Sequence, residues 1–65
     1  MVKVPAKVLE QIMAIRDSGE TNMLDRNMVQ VIADRENYYE LVVWIEDHKD
    51  EYGTGIFRGF EAEDE

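Results

Sequence analysis

A chain of 65 residues without a cysteine must hold itself together by packing alone. A core of this size rarely supplies more than roughly 3–5 kcal/mol, so domains this small commonly add disulfides, a metal or a second polypeptide. Disulfides are excluded here, and with them thiolate metal sites and thiol chemistry. The length leaves room for one domain, residues 1–65. Nothing in the cysteine count points to an oxidising compartment. The opening Met1-Val2-Lys3-Val4-Pro5 lacks the long apolar stretch of a signal peptide, and no segment approaches the ~20 apolar residues of a membrane span. The expectation is a soluble, cytoplasmic protein with no membrane partner.

Hydrophobic periodicity predicts an all-α fold of three helices, spanning 5–17, 25–35 and 38–52, with a short extended C-terminal tail at 53–65. In the first, Val8, Leu9, Ile12, Met13 and Ile15 recur at spacings of three and four. Pro5 suits the first turn, and Ser18-Gly19 supplies the stop. The second repeats the pattern with Met28, Val29, Val31 and Ile32. Asp25 is placed as its N-cap, with Leu24 and Val29 as a hydrophobic staple. Asn37 and Glu40 resemble a capping box opening the third, whose Tyr38, Leu41, Val42, Ile45 and Tyr52 share one face. Val42-Val43-Trp44-Ile45 also suits a strand, but the pattern runs too long and too charged for one.

Gly53 is expected to end the third helix. Beyond it, Gly55 and Gly59 argue against further helix, and the last five residues read as a solvated, mobile end. Ile56, Phe57 and Phe60 either fold back over the helices or form a short strand or linear segment for a partner.

Charge excludes several functions. Fifteen acids against seven bases give a net charge of −8. Residues 1–39 hold six acids and five bases, a net of −1, whereas residues 40–65 hold nine acids and two bases, a net of −7. Nucleic-acid binding rests on Lys and Arg neutralising phosphates, so this pattern opposes a nucleic-acid partner and favours a protein with a basic surface. The same charge opposes a helix-turn-helix reader built on residues 38–52.

No catalytic motif is present. His48 is the one histidine, and no nucleophile is placed to use it as a base. The Glu46-Asp47-His48-Lys49-Asp50-Glu51 run could bring paired carboxylates to a divalent cation, but a solvated acidic face explains it as well. Gly53-Thr54-Gly55 with Gly59 lacks both the dinucleotide spacing and the Lys-Ser/Thr of a P-loop. The reading is a non-enzymatic protein with no metal, cofactor or small-molecule substrate.

Surplus apolar residues are the more pointed signal. Val43 and Trp44 fall off the Tyr38/Leu41/Ile45 face, and Tyr39 lies beside Val43. Either the third helix is packed on two sides, or this face meets another molecule, where Trp and Tyr anchors are enriched. Tyr39, Val43, Trp44, Asp47, Glu51, Ile56, Phe57 and Phe60 are therefore the candidate partner-binding residues, and a homodimer would also enlarge the core.

The stretch Val4-Pro5-Ala6-Lys7-Val8-Leu9-Glu10-Gln11-Ile12-Met13-Ala14-Ile15-Arg16, continuing through Asn22-Met23-Leu24-Asp25 to Tyr39-Glu40-Leu41-Val42, resembles a family of short proteins of unknown function. That family, a domain-of-unknown-function 5049 type, occurs in Gram-positive bacteria and their phages. The resemblance covers roughly residues 4–52 and carries over no functional residue. It implies a phage or mobile-element setting. In that setting a small acidic protein is expected to bind and inhibit or modulate a host protein, for example as an anti-defence inhibitor. The alternative is an accessory assembly or regulatory subunit for phage proteins, and the third reading is a small DNA-binding regulator.

Overall fold

The computed structural model describes residues 1–63, and Asp64 and Glu65, the end of the expected mobile tail, lie outside the described residues. Helix α1 spans Ala6–Ser18 and α2 spans Arg26–Arg35, each within a residue of its sequence reading. Pro5 stands just before α1 as its N-cap. Gly19 ends α1 in the left-handed conformation, φ 68°, and its N–H donates to the Arg16 carbonyl. Asp25 caps α2 by accepting the Met28 N–H at 3.1 Å. Leu24 stays more than half exposed while Val29 is fully buried, so the expected staple shields little.

The third predicted helix is corrected most. Residues 38–52 do not form one helix: α3 spans Tyr39–Asp47 and α4 spans Lys49–Arg58, so the described residues form four helices. His48 adopts φ −137°, ψ 48°, well outside the helical region, and it closes α3 as it opens α4. Its N–H donates to the Ile45 carbonyl, and its carbonyl accepts the Tyr52 N–H. The polar run 46–51 hid this break, because it contains no apolar residue whose phase could reveal a change of axis.

Gly53 does not stop a helix; α4 runs through it and through Gly55 to Arg58. Gly59, at φ 94° and ψ 159°, is the real stop, in a conformation open essentially to glycine alone. Two interior glycines cost a helix roughly 1 kcal/mol each relative to alanine. Burial of Tyr52 and close packing at Gly55 offset that cost. A Cβ on Gly55 would fall inside the Phe60 ring, so the aromatic tail residue can seat only over bare backbone.

Beyond Gly59 the expected extended tail begins later than residue 53, and it both folds back and forms a short strand. Phe60–Ala62 is strand β2, which pairs in parallel with strand β1, Val2–Val4, in the register Val2–Phe60, Lys3–Glu61 and Val4–Ala62. Bonds from the Val2 N–H to the Gly59 carbonyl (3.0 Å) and from the Glu63 N–H to the Val4 carbonyl (2.8 Å) extend the ladder at both ends. The two termini thus clasp each other across the helices. Val4, Val8, Ile12, Ile15, Val29, Ile32, Ala33, Leu41, Trp44, Ile45 and Tyr52 form one continuous core.

Candidate functional site

Helix α3 is the element around which the others gather. Its inner face carries Leu41 and Ile45, both fully buried, and its start is held from outside the helix. The N-cap position is Tyr38, whose side chain makes no capping hydrogen bond. Asn37 does not form the expected capping box: it sits at φ 63° and its Oδ1 accepts the Tyr39 hydroxyl at 2.8 Å. Gln11 of α1 takes over the task. It is buried, its Oε1 accepts the Leu41 N–H at 3.0 Å, and its Nε2 donates to Glu40 Oε1 at 3.0 Å. One of the orphan donors of the α3 amino end is thereby satisfied from a different helix. The same glutamine, more than any charge, holds the Glu40 carboxyl below its ordinary range.

On the other side, Gln30 of α2 donates to the Val42 carbonyl at 3.1 Å and to Glu46 Oε2 at 3.0 Å. That second hydrogen bond, with Lys49 secondary, lowers the Glu46 pKa as well. Both acids are therefore firmly ionised at neutral pH.

Between the start of α1 and the outer face of α3 lies an open groove of about 560 Å³. Pro5 and Val8 of one side and Tyr39, Val43, Trp44 and His48 of the other line it, together with the carboxylates of Glu40 and Asp47. Tyr39 and Val43 are one helical turn apart and 57% and 59% exposed, so they stand as neighbours on the solvent side of α3 rather than as isolated exposed residues. A second hollow of about 320 Å³ is lined by the charged Lys7, Glu10, Glu36 and Glu40 together with Gln11, Ala14, Asn37 and Tyr38.

Trp44 is a core residue, only 7% exposed, and so not the exposed anchor its sequence position suggested. His48 stacks on one face of the indole at 4.8 Å and 15°, and Phe60 meets it edge-on at 6.0 Å. The His48 ring is held by Nδ1, 2.9 Å from the Trp44 carbonyl. A carbonyl only accepts, so Nδ1 carries the hydrogen, and the imidazole caps the carboxyl end of α3.

The structure thus gathers Tyr39, Val43, Trp44 and Asp47 from the candidate set and separates the others. Glu51 lies on α4 beyond the break and meets Asp47 only in a separate polar hollow lined by residues 46–51, outside the groove. Ile56 is half-buried, Phe57 is 79% exposed on α4, and Phe60 folds back against Trp44 and Tyr52. Pro5, Val8 and Gln11 went unremarked in the sequence as site residues. Pro5 and Val8 reach the groove only through the packing of α1 on α3. For Gln11 the one available signal was its spacing, three residues from Val8 and four from Ile15, which puts it on their helical face.

Among the described residues no group of three or more His, Asp or Glu side chains is arranged to hold a metal ion. No helix among them is long and apolar enough to cross a membrane.

Fold and site together define a minimal helical domain, clasped by its two ends, that presents an apolar groove with two carboxylates in its lining. The family model for the domain of unknown function DUF5049 matches residues 5–59, and the chain belongs to that family. The match extends past residue 52, so the resemblance takes in the whole of α4 with its glycines and ends at Gly59. No curated protein and no solved structure matches the sequence.

Proposed function

We propose that this protein is a non-enzymatic binding module whose α1–α3 groove receives a basic protein surface, and that it inhibits or modulates a host protein on behalf of a phage or other mobile element. The observation that carries the reading is the pair Tyr39 and Val43, side by side and more than half exposed over an apolar groove. Tyrosine presents a large, amphipathic contact at low entropic cost, and Val43 adds an apolar neighbour. The carboxylates Glu40 and Asp47 suit lysine or arginine beside the partner's apolar contacts, and they steer its approach.

Affinity capture from the natural host tests this. The expected result is recovery of a host protein with a basic surface, in a complex that weakens as salt is raised. Val43→Asp, at a solvent-facing position, should leave the fold intact and weaken capture by about thirtyfold, the equivalent of about 2 kcal/mol at an interface anchor. Recovery of phage-encoded proteins alone favours an accessory assembly role instead, and undiminished capture by Val43→Asp refutes the groove.

A further inference from the structure

Helix α4 carries a second outward face that the groove does not use. Phe57 is the most exposed large hydrophobic residue described, at 79%. Gly53 lies one turn before it, and both stand about 160° around the helix from Gly55, whose side faces the core. The two glycines differ in kind. Gly55 is bare because Phe60 occupies the space of its missing Cβ, whereas nothing lies within 4 Å of a Cβ on Gly53. Gly53 is also free of any positive φ. The fold gives no reason for this glycine, which lowers helix stability, to stand beside a solvent-facing phenylalanine.

We propose that a second copy of this protein covers that face, with two α4 helices packed antiparallel about a two-fold axis level with Gly55. The register sets Phe57 of each copy over Gly53 of the other, a ring against bare backbone, twice. It also brings Arg58 within one turn of Asp50 and Glu51 of the second copy. Arg58 is exposed and, like Lys3 and Arg26, makes no ion pair among the described residues, and of these three it alone lies on α4. Charge within the register is thus complementary, although each copy carries −8 overall. Neither Gly53 nor Phe57 lines the α1–α3 groove, so a dimer built this way leaves two grooves open.

A stable interface buries about 800 Å² per partner, more than a ten-residue helix supplies. The dimer is accordingly weak, with a Kd on the order of 100 μM. Sedimentation equilibrium of the 65-residue protein from about 10 μM to about 1 mM spans that value. Net like charge opposes association, so added salt should tighten the dimer, the opposite of the response expected at the groove. Phe57→Ala and Gly53→Gln should each weaken it by roughly tenfold or more while circular dichroism shows an intact fold, since neither position packs against the core of the monomer. Val43→Asp should leave it unchanged. A wild-type protein that stays monomeric throughout, a dimer that survives both α4 substitutions, or one that only Val43→Asp disrupts would each overturn the proposal.

Discussion

Replacing Gln11 by leucine isolates the contribution of a cap supplied from another helix. The two side chains are similar in volume, so the cavity term is small and the lost polar contacts dominate. The substitution removes the acceptor of the Leu41 N–H, which belongs to a fully buried residue, and the donor to Glu40. Leaving a buried backbone donor without a partner costs about 1–3 kcal/mol. The Glu40 carboxylate is exposed and returns to water, so it adds little. A net loss of about 2 kcal/mol is expected, a large share of the roughly 3–5 kcal/mol that a core of this size supplies. For a domain of this size that corresponds to a fall in Tm of about 8–16 °C. Urea unfolding followed by far-ultraviolet circular dichroism should show a lower midpoint at unchanged slope. A change smaller than about 0.5 kcal/mol would show that water caps α3 equally well and would refute the reasoning.

Three further outcomes follow from the packing. Gly55→Ala should destabilise by about 2–3 kcal/mol in thermal unfolding, because its methyl group displaces the Phe60 ring and disturbs the Trp44 and Tyr52 contacts behind it. A stability gain from alanine's better helix propensity would contradict the close approach. Asp25→Ala removes the acceptor of the Met28 N–H and should cost about 1 kcal/mol by the same assay, with Asp25→Ser restoring most of it. Stability should also fall at both pH extremes. Glu20, hydrogen-bonded to Arg35, and Glu40 and Glu46, held by Gln11 and Gln30, are more acidic folded than unfolded. Their contribution is present above the ordinary value of 4.5 and disappears as pH drops below it. Burial, with Asp25 nearby, raises the Tyr52 hydroxyl from 10 to about 12, so the unfolded state ionises first and stability declines between those values. Urea titrations across pH 3 to 12 locate both limbs, and Tyr52→Phe should flatten the alkaline one.

The local signals in the sequence did most of their work in the first half of the protein. The spacing of Val8, Ile12 and Ile15, the glycine after Ser18 and the aspartate before Arg26 each act over one or two helical turns, and α1 and α2 begin and end where those residues place them. Membership of the DUF5049 family was also legible from the residues alone. The candidate groove was legible in part: of the surplus apolar residues of 39–44, Tyr39 and Val43 do stand in solvent and line it. Trp44 could not be sorted from them, because its burial depends on His48 and on a phenylalanine sixteen residues away.

The second half was decided by tertiary structure. Gly53 and Gly55 argue locally against helix, and the polar run 46–51 conceals a change of axis. Helix α4 forms because Tyr52 and Gly55 can be buried once the backbone bends at His48, a gain of packing that exceeds the intrinsic cost of two glycines. Strand pairing between Val2–Val4 and Phe60–Ala62 joins segments nearly sixty residues apart. Three residues at each end carry no pattern that could announce it. What the sequence determined by itself was an acidic, helical, cysteine-free domain with too many apolar residues on its third helix. Which of those residues remain exposed, and that two of them line one groove, followed only when α1 packed across α3.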